Sequence, residues 1–161
     1  MARVFLHAPQ DFRNLCAISR TLEIFGQTEC LVFDPHRLLR ERYGKSRTRE
    51  QRVVSSGAFQ KMRWQRVDDP ERFLASYPGR SVAAVAAADA SELTDYRFLE
   101  SDLLLFGSES QGLPPPLVAQ CTSKVTIQSH GQTQSLNLAV ALGIMLFECE
   151  RQKKSSPGRQ A

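Results

Sequence analysis

Residues 102–116, DLLLFGSESQGLPPP, pass from an unbroken apolar run through a polar loop bracketed by Gly107 and Gly112 into a proline-marked helix start at Pro114 to Pro116. A strand with water on one face alternates polar and apolar residues. Asp102 to Phe106 does not alternate, so it reads as a strand covered on both faces, in a parallel sheet flanked by helices. Four further runs share that character: Arg3 to His7, Thr28 to Phe33, Ser81 to Ala87 and Lys124 to Gln128, most of them followed by a helical pattern. The chain therefore reads as an α/β domain built on a parallel sheet. Such sheets bind ligands beyond the carboxyl ends of their strands, which makes the 106–113 loop a candidate site. Its glycines would let backbone approach a ligand closely. It is not a phosphate loop, because Lys-Ser/Thr does not follow the second glycine, and the Gly-x-Gly-x-x-Gly dinucleotide fingerprint is absent. Taken alone, the loop fits a tight turn as well as a site.

The first helix is expected over Asn14 to Phe25, with Asn14 available as N-cap and Gly26 as the stop. Leu15, Ile18, Leu22 and Phe25 recur at helical spacing and form one buried stripe. Arg20 lies nearly opposite it, flanked by the small residues Cys16 and Ala17; its plain reading is a surface arginine paired with Glu23. Asp69-Pro70 announces a second helix, a cap followed by proline at the first helical position. The last helix, about Leu136 to Lys153, is apolar almost all round through its first three turns, which predicts burial on nearly every side. Just before it, the strand ending at Gln128 opens into a polar loop, Ser129-His130-Gly131, and then Ser135-Leu136-Asn137. Polar residues at the mouth of such a helix serve either as caps or as a site.

At 161 residues the chain is the size of one ordinary domain, expected over 1–153 with a flexible basic tail at 154–161. With 42% hydrophobic and 24% charged residues the composition is globular. The longest strongly apolar stretch, Leu138 to Phe147, is far short of the roughly 20 residues of a spanning helix, so no membrane partner is expected. The N-terminus lacks the apolar core of a signal peptide, and a cytoplasmic location is expected. Cys16, Cys30, Cys121 and Cys149 lie far apart with no Cys-x-x-Cys, which argues against a metal site and a disulfide framework and for reduced, buried thiols. Ten basic residues against two acids between Arg37 and Arg66 give a local balance of +8, and Val67 to Glu109 reverses it to −6. A chain so polarised can turn one basic surface to a phosphate backbone.

Asn14-x5-Arg20, the 106–113 loop and the 127–137 segment together resemble the three motifs of the knotted SPOUT methyltransferases, in particular the TrmH or SpoU family of tRNA/rRNA ribose 2′-O-methyltransferases. Asn14 and Arg20 match the first motif, with Cys16 where glycine is usual. Gly107, Glu109, Gly112 and Leu113 match the second. Ile127, Gly131, Ser135, Leu136 and Asn137 match the third, with Gln128 where proline is usual. The likeness runs from about Val4 to Gln152. It implies a parallel sheet with a C-terminal trefoil knot, a homodimer, and S-adenosyl-L-methionine held mainly by backbone groups. Carried over by position, the cofactor residues are Val85, Ala87, Gly107, Gly112, Ile127, Ser135 and Leu136.

The resemblance also implies the chemistry. Ribose 2′-O-methylation needs a stabilised alkoxide and an in-line methyl donor, and no metal. The family assigns its motif-one arginine, here Arg20, to the hydroxyl. Because a guanidinium stays charged, Arg20 is read as an orienting cation, with Asn14, Glu109 and Asn137 completing the catalytic set. The RNA is expected to be tRNA, at a D-loop guanosine or the wobble nucleotide; rRNA is the alternative, as is an inactive knotted RNA-binding protein. Arg47, Arg49 and Arg52 are the expected phosphate contacts, with Trp64 as a stacking surface. The face of the first helix around Cys16, Ala17 and Ile24 is expected to pair two copies.

Overall fold

A computed structural model describes residues 2–39, 53, 55–133 and 135–155. The strands are β1 (Arg3–His7), β2 (Glu29–Phe33), β3 (Arg63–Arg66), β4 (Ser81–Ala84), β5 (Ser91–Glu92), β6 (Leu103–Phe106) and β7 (Ser123–Thr126). The helices are α1 (Phe12–Ile24), α2 (Ala58–Lys61), α3 (Pro70–Ala75), α4 (Pro115–Gln120) and α5 (Leu138–Ser155). All strand pairs are parallel, in the order β3-β2-β1-β6-β4-β7-β5. The parallel α/β expectation holds. Two strands carried no sequence signal, and both lie at sheet edges: β3 is polar at three of its four positions, with Arg63 and Arg66 exposed, and β5 is two residues long.

The sheet is covered on both faces, as the unbroken apolar runs require. Val4, Leu6, Val82, Leu104 and Phe106 meet Leu15, Ile18 and Leu22 of α1 and Leu142, Met145 and Leu146 of α5. On the opposite face Phe5, Leu31, Ala83, Leu103 and Leu105 meet Leu74 of α3 and Leu117 of α4.

Three details depart from expectation. Asp11, not Asn14, caps α1: its carboxylate accepts from the Arg13 N–H at 2.8 Å, and the helix starts at Phe12. Asn14 is thereby released for other work. Cys16 is fully buried against the sheet and contributes nothing to an outer face of α1, whereas Ile24 is 73% exposed. Burial of α5 is one-sided, because Val140, Ile144 and Phe147, spaced four and three apart, form an exposed apolar stripe. Gln152 ties the far end of α5 to the 96–102 segment by accepting from the Phe98 N–H and donating to the Tyr96 carbonyl. In the same segment Asp102, fully buried, takes two hydrogen bonds from Arg80 at 2.8 Å and a third from the Leu99 N–H. These bonds satisfy a carboxylate that would otherwise be costly to bury.

Candidate active site

β6, β4 and β7 are neighbours in the sheet, so the residues that follow them emerge side by side at one edge: Gly107 after β6, Val85 and Ala87 after β4, Ile127 after β7. The 107–113 loop folds back at once. Ser108 and Gly112 exchange two backbone hydrogen bonds, at 3.1 and 2.9 Å. A Cβ on Gly107 would stand 1.9 Å from the Gly112 carbonyl carbon, so any side chain there would prise the loop open. Gly112 has φ +67°, and the space where its Cβ would point is empty to 4 Å. Gly107 therefore closes the loop on itself, while Gly112 offers the open backbone surface that a ligand can lie against.

This loop delivers Glu109 to the start of α1. Its carboxylate accepts from the Gln10 N–H at 2.8 Å, the Asp11 N–H at 3.1 Å and the Asn14 side-chain amide at 2.7 Å. Partial burial pushes the Glu109 carboxyl upward, but the bonds from Asn14 and from backbone N–H groups outweigh it and hold the group below its ordinary range. Asn14 passes the connection on: its carbonyl oxygen accepts from the Asn137 amide at 3.0 Å. The Asn137 oxygen in turn accepts from the Ala139 N–H at 2.9 Å and caps α5. Three residues separated by 95 and 123 positions thus form one chain of hydrogen bonds between the loop after β6 and the mouths of α1 and α5.

The remaining expected residues divide clearly. Ser135 and Leu136 lie exposed just before α5, and Ile127, Val85 and Ala87 are half-buried at the strand ends. Arg20 is exposed, nearly two turns along α1 from Asn14, and its side chain makes no hydrogen bond or ion pair with another described residue. Its supposed partner Glu23 pairs instead with Lys61 at 2.8 Å. Trp64 is no free stacking surface; its ring lies against Phe59 and its indole N–H is buried. Arg47, Arg49 and Arg52 fall outside the described residues. Sequence reading missed the part played by the Gln10 and Asp11 backbone, although Asp11, a cap-forming residue just before an apolar run, carried a usable signal. Among the described residues no group of His, Cys, Asp or Glu could hold a metal ion, and no helix is long and apolar enough to cross a membrane.

Residues 1–147 match the SpoU rRNA Methylase family. The tRNA (guanosine(18)-2′-O)-methyltransferase of Aquifex aeolicus is 27% identical over 154 residues, covering 94% of this chain and 69% of that one. Other curated relatives are longer: the chain spans 43% of a 23S rRNA (guanosine-2′-O-)-methyltransferase of Ralstonia nicotianae, 32% identical over 108 residues. Among solved structures, one described as giving insight into 2-OH methylation of C/U34 on tRNA superposes with a TM-score of 0.81 at 28% identity, covering 97% of this chain and 98% of that one. An AdoMet-bound rRNA methyltransferase from Sinorhizobium meliloti superposes at 0.75 with 26% identity, covering 93% and 56%.

Proposed function

This chain belongs to the SpoU rRNA methylase family, and from that premise we propose that it transfers a methyl group from S-adenosylmethionine to a ribose 2′-hydroxyl of RNA, with tRNA as the substrate. The hydrogen-bonded chain Glu109–Asn14–Asn137 carries the reading, because it draws the three motif segments to one edge of the sheet. The tRNA assignment is supported by the likeness to a structure that describes tRNA methylation and matches this chain along nearly its whole length. Ribosomal RNA is the second reading, favoured by the Ralstonia relative.

The residues present fit the cofactor. Backbone follows three adjacent strands out at one end of the sheet, the Gly112 backbone has open space where a side chain would stand, and Ser135 and Leu136 are exposed just before Asn137, which is bonded to Asn14. Val85, Ala87, Gly107, Gly112, Ile127, Ser135 and Leu136 would hold it there. When bound, S-adenosylmethionine supplies an electrophilic methyl on a sulfonium, which is self-activated and needs no metal. The chain's own residues orient and stabilise. Glu109 fixes the start of α1, Asn14 and Asn137 lock α1 to α5, and Arg20 reaches out as a fixed cation to meet the negative charge that develops on the attacking oxygen. Arg47, Arg49 and Arg52 contact RNA phosphates in this reading, on the strength of the local charge alone.

Three further features belong to the proposal: one methyltransferase domain over 1–153 with a C-terminal trefoil knot, a homodimer, and a cytoplasmic location. The exposed apolar stripe of α5 together with Ile24 of α1 supports the homodimer. Free cysteines support a reducing compartment.

Incubation with S-adenosylmethionine and unfractionated tRNA or total rRNA, followed by nucleoside mass spectrometry, tests the reading. A 2′-O-methylnucleoside is expected from tRNA and not from rRNA. Arg20→Ala should reduce its formation by a factor on the order of a hundred with unchanged thermal stability, the usual cost of removing one preorganised charge stabiliser. An active Arg20→Ala enzyme excludes Arg20 from the chemistry, and a wild-type protein that methylates neither RNA overturns the assignment.

A further inference from the structure

The sheet edge that carries the proposed cofactor residues continues, on its other half, into two rings. His7 and Phe33 are a register pair at the ends of β1 and β2. On its other side His7 lies one rung beyond the Leu6–Phe106 pair, and so beside Gly107. The two rings are tilted against each other with centroids 5.1 Å apart, and both residues are half-buried. The ring Nδ1 of His7 is buried without a hydrogen-bond partner. A desolvated nitrogen without a partner is a cost that a purely apolar ring would avoid, so core packing alone does not account for a histidine here.

We infer that His7 and Phe33 form a stacking subsite for an unpaired nucleobase of the RNA substrate, next to the strand ends that hold the cofactor. The inference rests on the methyltransferase reading above. A ribose presented to the edge of β6, β4 and β7 brings its own base and its neighbours with it, within a nucleotide's length of the β1 and β2 ends. Proteins that read single-stranded RNA receive splayed bases on aromatic faces, histidine included, and every base has a π-face to offer. His7 and Phe33 are thus substrate-positioning residues, distinct from the group that meets the hydroxyl.

The experiment uses the full chain, unfractionated tRNA and total rRNA as RNA probes, and S-adenosylhomocysteine as the cofactor-site probe. His7→Leu and Phe33→Leu, which keep apolar bulk, should each raise the KM for RNA on the order of tenfold, within the range of one lost base stack. Affinity for S-adenosylhomocysteine should stay unchanged, and His7→Phe should restore most of the RNA KM where His7→Leu does not. An unchanged RNA KM in both leucine variants overturns the subsite, as does His7→Phe behaving like His7→Leu. A parallel loss of S-adenosylhomocysteine affinity also overturns it, because the rings would then serve the cofactor. Wild-type protein that neither binds nor methylates either RNA overturns both this inference and the reading beneath it.

Discussion

Asn14 spends both ends of its amide on residues remote in sequence, donating a hydrogen bond to Glu109 and accepting one from Asn137. Asparagine is a favoured cap, so its position near a helix start invited that reading, and only the placement of Asp11 shows that the role was already filled. The types and spacing of Asn14, Glu109 and Asn137 were legible as motifs; their contact was not, because nothing local brings together residues so far apart in the chain. His7 was illegible for a different reason, since it ends an apolar run and belongs to no motif. Glu109 yields a pH prediction. Its folded-state carboxyl is held below the ordinary value of 4.5, so its stabilising contribution is fully present above that pH and is lost as pH falls through the depressed folded value. Glu109→Gln should therefore unfold at a lower temperature than wild type at pH 7, and thermal scans at successively lower pH should show the gap narrowing below 4.5. A gap independent of pH would mean that the carboxylate's charge contributes nothing.

Among the elements, interior strands announced themselves and edge strands did not. β6, β1 and β4 are covered on both faces and are apolar throughout or nearly so, whereas β3 needs to satisfy only one neighbour and mixes Arg63, Trp64, Gln65 and Arg66. Overestimates of strand length at Ala87 and Gln128 have one cause: apolar residues continue past the last backbone pairing into the loops of the proposed cofactor site. α5 was legible as a helix, and its cap was read as an open choice between structure and function. Asn137 serves both at once, bonding the Ala139 N–H and the Asn14 side chain. Asn137→Ala should cost about 1 kcal/mol of stability, as cap removals do, read as a lower urea midpoint with an unchanged slope. The double variant with Asn14→Ala should lose less than the two singles together, since both remove the same bond. Strict additivity would show that the bond carries no energy.

For the whole molecule, the stripe of Val140, Ile144 and Phe147 with Ile24 is more apolar surface than a lone protomer needs to expose. Sedimentation at micromolar concentration should give a dimer, and Phe147→Glu should give a folded monomer with reduced methyl transfer. A wild-type monomer with full activity would remove the dimer from the proposal. The order of the sheet has one more consequence, for how the protein is made. β1 lies beside the central strand, between β2, which follows it closely, and β6, which begins at Leu103. At roughly 5–20 residues per second, a ribosome takes on the order of 3–14 s to add the 69 residues between the end of β2 and that strand. Throughout that interval one whole side of β1, whose Val4, Phe5 and Leu6 are buried in the finished fold, has no permanent neighbour, so a nascent chain stalled before residue 103 presents an open, sticky seam. Truncation within this window should consequently yield insoluble fragments rather than a smaller folded domain.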